Sequence, residues 1–257
     1  MKERLDILLV ERRLVESRTK AKWLIKNGYV LVNSRIIRKP AKKIDNIYNI
    51  SLTAAFPYVG RGGLKLEAAL DQFSIKVKNK ICADIGASIG GFTDCLIKHG
   101  AAKVYAIDTA KELLHPSLIC NKNQVVALLG VDARKLSSFE EKVDIISIDV
   151  TFSSLKDILP NLLKFLKKDG DIIVLVKPIF ETNFYNDEKL RIIKDKTVLR
   201  TILKDLLEWS VKNNIFPKEV MKSPIIGKGG SIEFFIHFKL ENRYYDNDYV
   251  KLIKSVL

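Results

Sequence analysis

Cysteine and histidine, the residues that form disulfides and most zinc sites, are scarce in this sequence. There are three widely spaced cysteines: Cys82, Cys95 and Cys120. There are three scattered histidines: His99, His115 and His237. Zinc sites use closely spaced ligands and disulfide frameworks use paired cysteines, so the pattern predicts neither. We expect reduced, packed cysteines, as in an intracellular protein, and no bound metal.

Long apolar runs are also lacking. In the first residues, MKERLDILLVERR, charges interrupt the apolar run after four residues, which is unlike a signal peptide. Nowhere does an apolar segment reach the roughly 20 residues that a membrane-spanning helix needs. We therefore expect a cytoplasmic protein that makes no use of a membrane.

Acidic residues are in the minority. The 257 residues include 44 Lys and Arg against 30 Asp and Glu, which gives a net charge of +14. Residues 1–45 carry 13 basic and 5 acidic side chains, so more than half of the excess lies in under a fifth of the chain. A local excess of this kind favours a polyanionic partner, because bound phosphates release counterions. A generally lysine-rich proteome is the alternative explanation.

The hydrophobic fraction of 47% is enough for a core, and the length fits two unequal domains. The first, residues 1–57, begins with apolar residues at helical spacing from Leu5 to Leu14. A second helix is predicted between Ser17, as N-cap, and the stop at Asn27-Gly28. The runs YVLVN and RII around Asn33-Ser34 then indicate a short β-hairpin. Together these elements predict a small α+β unit.

This unit resembles the S-four-type RNA-binding domain. The pattern S-R-x-x-A-x-x-L-I-x-x-G-x-V-x-V-N is met in full from Ser17 to Asn33. The resemblance implies that basic side chains on one face contact RNA. The candidates are Arg4, Arg18, Lys20, Lys22, Lys26, Arg35 and Arg38.

The second domain, residues 58–257, alternates short β-rich runs with helical segments. The runs are ICADIG, KVYAID, QVVALL, VDIISIDV, DIIVLVK and IEFFIHF. This order predicts an α/β fold with a doubly wound, largely parallel, Rossmann-like sheet. Ligands of such sheets bind beyond the carboxyl ends of the strands, so functional residues are expected just after these runs.

The stretch ADIGASIGGFTDCL follows the first run and contains the turn D-x-G-x-x-x-G-G from Asp84 to Gly91. The tight G-x-G turn that a dinucleotide pyrophosphate requires is absent, so a nucleotide-dependent oxidoreductase is disfavoured. S-adenosylmethionine has no phosphate and suits this looser turn better. Asp108 ends the next run, where its carboxylate can accept from ribose hydroxyls, and Asp132 can accept from an adenine amino group. The candidate cofactor-binding residues are Asp84, Gly86, Ala87, Ser88, Gly90, Gly91, Phe92, Asp108 and Asp132.

A second polar set is spread along the chain. It consists of Lys65, Asp149, Lys177 and Glu233, found in RGGLKLE, SIDVTF, LVKPIF and SIEFF. Asp149 and Lys177 each directly follow an apolar run. Glu233 lies inside a strand-like run, where a charge is costly unless it is paired.

The motifs YVGRGGLKLEAAL, DIGASIGGFTDCL, IDVTFSSL, VKPIFE and GGSIEFF resemble the TlyA family. The resemblance implies an S-four-type domain joined to an FtsJ-like, S-adenosylmethionine-dependent methyltransferase domain. It also implies 2′-O-methylation of ribose, on cytidines of small- and large-subunit ribosomal RNA. The four charged residues match the FtsJ-like Lys-Asp-Lys-Glu pattern.

By this resemblance, Lys177 deprotonates or orients the ribose 2′-hydroxyl. A lysine is a poor base at neutral pH unless burial or a second cation lowers its pKa, and we expect Lys65 to supply that cation. Asp149 favours the charged ammonium, so it and Glu233 are expected mainly to position the lysines. Which lysine loses its proton stays open at this point.

The chain departs from the family pattern at two places. Ser231 stands where the family usually has Asn, which affects an RNA or cofactor contact. In RIIKDKTVLR, Leu199 occupies the position taken by a histidine. The stretch AAFPYVGRGG, between the two domains, is expected to couple RNA docking to cofactor binding.

Two other functions fit parts of the sequence. A membrane-lytic protein, as the historical family name hemolysin suggests, is disfavoured by the lack of a spanning or strongly amphipathic apolar segment. An RNA-binding assembly factor without catalysis is disfavoured by the presence of all four charged residues.

Overall fold

The computed structural model describes residues 2–182, 192–227, 230–241 and 248–257. The chain divides into two compact units, Met1–Pro57 and Tyr58–Leu257.

The first unit contains two helices and two small antiparallel sheets. The helices are α1 (Leu5–Glu11) and α2 (Arg18–Lys26). The strands are β1 (Lys2–Arg4), β2 (Val30–Val32), β3 (Arg35–Ile36), β4 (Lys43–Asp45) and β5 (Ile50–Leu52). β1 pairs with β4, and the second sheet has the order β3-β2-β5. The helices cover the sheets through a core that includes Leu5, Leu9, Leu24, Ile25 and Val30.

The boundaries of α2 and the hairpin are confirmed. The Ser17 hydroxyl accepts from the Lys20 amide at 3.3 Å, and Asn33 and Ser34 have the positive φ angles of a tight hairpin turn. The first helix is shorter than predicted and ends at Glu11, not at Leu14. Arg13 adopts a φ of +55° there, and the Leu14 amide donates to the Leu9 carbonyl, which is a Schellman termination without glycine.

The second unit is built on a seven-stranded sheet. Its strands are β6 (Ile81–Ile85), β7 (Lys103–Asp108), β8 (Val125–Leu129), β9 (Val143–Ile148), β10 (Leu166–Val176), β11 (Phe216–Lys222) and β12 (Phe234–Lys239). The order is β11-β12-β10-β9-β6-β7-β8. The five strands from β10 to β8 are parallel, while β12 runs antiparallel to β10 and to β11. The predicted fold class is confirmed.

Helices cover both faces of this sheet, which explains the continuous apolar strands of the sequence. The helices are α3 (Arg61–Gln72), α4 (Gly91–Lys98), α5 (Pro116–Cys120), α6 (Leu155–Leu162), α7 (Lys196–Lys212) and α8 (Tyr249–Lys254). Among the described residues, three short 3-10 helices span Ala133–Lys135, Leu163–Phe165 and Pro178–Glu181. Within the described ranges, no helix is long and apolar enough to cross a membrane.

Three sequence expectations need correction. β11 was not predicted, because Pro217 and charged residues interrupt its pattern. Glu233 does not lie inside a strand but directly before β12. Cys82 and Cys95 are packed as expected, whereas Cys120, at the end of the short helix α5, is exposed.

Candidate active site

The carboxyl ends of the parallel strands open onto a cavity of about 650 Å³. Six of the candidate site residues line it, among them Gly86, Ser88, Asp108, Asp132 and Asp149. Lys177, directly after β10, lines it as well. These candidates lie at or near the carboxyl ends of the strands, where the sequence analysis expects functional residues.

The glycines of the turn after β6 are required by contacts within the protein. Gly86 has a φ of +83°, and a Cβ there would strike the backbone carbonyl of Asp149. Gly90 has a φ of +96°, and a Cβ there would strike Leu118. Gly91 opens α4, where a Cβ would lie 3.0 to 3.1 Å from backbone atoms of Gly62 and Gly63 on α3. Sequence reasoning assigned this close approach to a ligand, and the structure gives packing as the physical cause.

A smaller cavity of about 110 Å³ lies against the same turn. It is lined by Gly86, Ala87, Ser88, Gly91 and Phe92, together with Gly62, Ile89 and Asp149. Of the nine candidate cofactor residues, Asp84 and Gly90 line neither cavity in the described parts of the chain.

Asp84 is fully buried beneath the turn. Its carboxylate accepts from the Thr93 hydroxyl at 2.6 Å and from the Ser147 hydroxyl at 3.4 Å. Burial, opposed by the Thr93 hydrogen bond and reinforced by the charge of Asp149, raises the pKa of Asp84 to about 7. The carboxylate of Asp84 therefore joins β6, β9 and α4, and its assignment as a cofactor-binding residue stays a prediction.

Asp108 is the last residue of β7, and its carboxylate is held by two backbone amides. Oδ2 accepts from Ser88 at 2.7 Å, and Oδ1 accepts from Ala110 at 2.8 Å. A carboxylate oxygen can accept more than one hydrogen bond, so each oxygen keeps capacity for a ligand hydroxyl. The two amides thus fix the group that was predicted to accept from a ribose.

Asp132 is engaged by a residue that sequence reasoning missed. Nε of Arg134 donates to Oδ1 at 3.0 Å, and Nη2 donates to Oδ2 at 2.7 Å. These hydrogen bonds hold the pKa of Asp132 below its ordinary value. Arg134 also lines the cavity, so a ligand amino group that reaches Asp132 meets a carboxylate already paired with a guanidinium.

The four charged residues of the FtsJ-like pattern form two ion pairs. In the first, Lys177 Nζ lies 2.5 Å from Asp149 Oδ1, and it also donates to the Val150 carbonyl at 3.0 Å. In the second, Lys65 Nζ on α3 lies 2.5 Å from Glu233 Oε2, and both residues are buried. The second pair lines neither cavity among the residues described. Lys65 was expected to supply a second cation to Lys177, but its charge is compensated by Glu233, as burial requires.

The two departures from the family pattern have different surroundings. A Cβ at Gly227 would strike both the Ser231 hydroxyl and the Glu233 carboxylate, so the Ser231 side chain lies beside the buried ion pair. Leu199 is fully buried in α7 and packs in the core of the second unit. Arg191 and Gly229, which belong to the quoted motifs, lie outside the described residues.

In the first unit, a buried carboxylate organises part of the predicted RNA-binding set. Asp6 accepts from Arg4 Nε at 2.9 Å and from Arg18 Nη2 at 3.1 Å, and Lys22 Nζ lies at 4.0 Å. Burial opposes its charge, yet the hydrogen bonds from Arg4 and Arg18 hold the pKa of Asp6 below its ordinary value. Sequence reasoning missed Asp6, although its place two residues after Arg4 in a basic segment was a usable signal.

The other basic candidates of this unit have separate partners. Lys20 Nζ lies 2.5 Å from Glu16 and 5.5 Å from the ring centroid of Phe56. Arg38 donates to the carbonyl of Lys26 at 3.3 Å, and Arg35 is exposed on β3. The basic candidates therefore do not form one uniform group of solvated side chains.

Two families match this chain in consecutive parts. The S4 domain matches residues 3–45, and the family described as FtsJ-like methyltransferase matches residues 58–240. A Mycobacterium tuberculosis protein named 16S/23S rRNA (cytidine-2′-O)-methyltransferase TlyA is 34% identical over 250 residues, which cover 93% of this chain and 90% of that protein. The chain belongs to the TlyA family of FtsJ-like methyltransferases.

Other proteins that are similar to this chain carry a different name. A Brachyspira hyodysenteriae protein named Hemolysin A is 39% identical over 240 residues, which cover 91% of this chain and 99% of that protein. A solved structure from Streptococcus thermophilus, also described under the name hemolysin, has a TM-score of 0.72 and 35% identity. It covers 99% of this chain and 94% of its own. The resemblance stated from the sequence motifs is confirmed.

Proposed function

We propose that this TlyA-family methyltransferase transfers the methyl group of S-adenosylmethionine to the 2′-hydroxyl of cytidine in ribosomal RNA. The observation that carries the proposal is the Asp149–Lys177 ion pair, which lines the same cavity as Asp108. The name of the Mycobacterium tuberculosis relative supports cytidines of both ribosomal subunits as targets. The net positive charge and the S4 domain support an RNA partner within ribosomal subunits, in the cytoplasm.

The residues of the larger cavity fit S-adenosylmethionine. The cavity volume of about 650 Å³ lies in the ordinary range for sites that bind nucleoside-sized ligands. Asp108 offers two fixed oxygens for the ribose hydroxyls, and Asp132 lies further along the same edge. The basic side chains that line this cavity, Arg134 and Lys177, are both paired with carboxylates, which suits an adenosine without phosphates better than a dinucleotide.

S-adenosylmethionine, when bound, supplies a methyl group activated by a sulfonium cation. Transfer of this group to a hydroxyl forms a C–O bond, breaks a C–S bond and releases the hydroxyl proton. Lys177 and Asp149 are the paired ionisable groups at the ends of adjacent strands, so we assign to this pair the orientation of the 2′-oxygen and the reception of the proton. Gly86, Ala87, Ser88, Gly91 and Phe92 would line the cofactor side of the site.

Lys65 and Glu233 are assigned a positioning role. Their pair joins α3 to the segment before β12. Among the described residues that line the two cavities, neither member of this pair occurs, so we assign its support of the site to the elements that it connects.

The test is transfer of labelled methyl from S-adenosylmethionine to ribosomal subunits that lack the modification. The labelled nucleotide is mapped by its resistance to alkaline cleavage, which a 2′-O-methyl group confers. We expect label at a resistant cytidine, lost in Lys177→Ala and retained in Lys168→Ala, which changes an exposed lysine on β10. RNA binding and S-adenosylhomocysteine binding without any transfer to subunits or free RNA would contradict the proposal and favour an assembly factor.

A further inference from the structure

The loops that follow β9 and β10 contact each other at three successive levels. Lys177 Nζ reaches Asp149 Oδ1 at 2.5 Å and the Val150 carbonyl at 3.0 Å. Further along, the ring centroids of Phe180 and Phe152 lie 5.3 Å apart. The third level is formed by Glu181, Ser154 and Leu155, which we call the Glu181 bridge.

The Glu181 bridge consists of two hydrogen bonds. Oε2 of Glu181 accepts from the Ser154 hydroxyl at 2.6 Å, and Oε1 accepts from the Leu155 amide at 2.9 Å. Leu155 is the first residue of α6, whose first amides lack partners within the helix. Glu181 therefore caps this helix from a different loop, and its charge is favourably placed at the helix amino terminus.

The position of the bridge connects it to the reacting groups. Glu181 ends the 3-10 helix Pro178–Glu181, which begins directly after Lys177. The loop that begins at Asp149 ends at Ser154, and Leu155 follows as the first residue of α6. Among the described residues that line the two cavities, Glu181 does not occur, so its effect on the site is exerted through the two loops.

We propose that Glu181 is a positioning residue for methyl transfer: its bridge holds the loop of Asp149 against the loop of Lys177. This inference rests on the proposed function. Without the bridge, the two loops keep the Lys177 contacts and the Phe152–Phe180 ring contact, but the end of the loop from Asp149 to Ser154 loses its attachment to Glu181. Errors of about 1 Å in the placement of reacting groups lower rates by as much as about 100-fold.

A carboxylate is specifically suited to this place. It offers two acceptors to two donors, whereas a glutamine offers one acceptor and one donor. The Ser154 hydroxyl also accepts from the Lys156 amide at 3.1 Å, so its proton is directed at Glu181. Burial, opposed by the Ser154 and Leu155 hydrogen bonds, raises the pKa of Glu181 above its ordinary value. As the pH falls, Glu181 therefore becomes protonated, and the bridge weakens, at a higher pH than an exposed glutamate would require.

The test compares Glu181→Ala, Glu181→Gln and Ser154→Ala with the wild type and with Glu140→Ala, which removes an exposed glutamate elsewhere. We expect kcat for methyl transfer to fall by about tenfold or more in Glu181→Ala and by less in the two conservative variants. The affinity for S-adenosylhomocysteine should stay within about twofold, because Asp108 and Asp132 are untouched. The Leu155 amide should exchange hydrogen faster in Glu181→Ala than in the wild type. In Glu181→Gln, the acid limb of the plot of kcat against pH should shift.

The results separate this inference from its alternatives. An unchanged kcat in Glu181→Ala, with faster exchange at Leu155, would overturn the positioning role. A lower melting temperature with unchanged kcat would assign Glu181 to stability alone. If Glu181→Ala does not fold, the Glu181→Gln and Ser154→Ala variants decide the question. If both have the kcat of the wild type and the same dependence of kcat on acid pH, the proposal is overturned. Absence of transfer by the wild type would instead contradict the proposed function.

Discussion

Lys65 and Glu233 meet at 2.5 Å although 168 positions separate them in the chain. The pair is buried, and it joins α3, near the start of the methyltransferase domain, to the segment that precedes β12. Burial of two charges is costly, and only their mutual attraction and good geometry offset that cost. The pair therefore behaves as one unit, and its members have to be tested together.

Removal of one partner should destabilise the protein more than removal of both. We expect Glu233→Gln or Lys65→Met alone to lower the free energy of unfolding by roughly 3 kcal/mol, because a buried charge is left uncompensated. The double variant should recover much of this loss. Urea unfolding of the two single variants and the double variant measures the coupling. Additive losses would show that the two charges do not depend on each other.

Asp84 should make the protein less stable as the pH rises. Its pKa is raised from an ordinary value near 4 to about 7 in the folded state. The folded state therefore holds a proton that the unfolded state has released, and the stability gained from it is present below about pH 4 and lost as the pH rises through about 7. The size is on the order of 1.4 kcal/mol per pH unit across that window.

The contribution of Asp84 is isolated by comparison with Asp84→Asn, which keeps an acceptor for the Thr93 hydroxyl. The free energy of unfolding of the wild type should fall between pH 5 and pH 8 by more than that of the variant. Subtracting one curve from the other cancels the contributions of all the other titrating groups to the pH dependence of stability. Parallel curves over this range would contradict a raised pKa at Asp84.

Asp6 should strengthen RNA binding although it is an acid in a basic unit. It is fully buried and holds Arg4 and Arg18 in defined positions. We expect Asp6→Asn to weaken binding of a ribosomal RNA fragment by about three- to tenfold, because the cations lose their common anchor. The slope of log affinity against log salt should become shallower by about one phosphate contact.

The matched control for Asp6 is Glu11→Gln, which removes an exposed acid from the same helix. Simple net charge predicts that both variants bind RNA more tightly. Only anchoring predicts opposite signs for the two. Melting temperatures of both variants establish that the unit stays folded, and tighter binding by Asp6→Asn would refute the anchoring role.

Much of the site was predictable because parallel strands read as buried apolar runs. Asp108, Asp149 and Lys177 could be placed at one edge of the sheet without knowledge of any contact. The ion pairs themselves could not be predicted. Glu233 was expected to position the lysines, but the Lys65–Glu233 pair could not be named, because separation in sequence carries no information on which charges meet after folding.

Other features were hidden by local exceptions. Arg13 takes a left-handed conformation that glycine usually occupies, so the end of α1 gave no signal. Pro217 interrupts β11 where its ladder with β12 shifts register, which a pattern of alternation cannot represent. Arg134 lies two residues after Asp132, a spacing common to many exposed ion pairs. These features depend on backbone geometry and on burial. Neither property can be deduced from the type of a single residue.

Phe152 combines high exposure with backbone strain at the edge of the larger cavity. Its side chain is 78% exposed, its φ is +63°, and its ring lies 5.3 Å from that of Phe180. An aromatic residue with a positive φ is costly, and such strain is concentrated at functional sites. An exposed ring that lines the same cavity as Lys177 suits contact with the base of the target nucleotide.

We expect Phe152→Gly to change stability and activity differently. Glycine relieves the strained φ but enlarges the freedom of the unfolded chain, so the free energy of unfolding should stay within about 1 kcal/mol. Stacking of a base on an aromatic ring contributes roughly 1 to 3 kcal/mol, so kcat/KM for RNA should fall by about 5- to 150-fold. Phe152→Tyr keeps the stacking surface and should retain most of the activity. Equal loss in the Tyr and Gly variants would argue against stacking and for a steric requirement at this position.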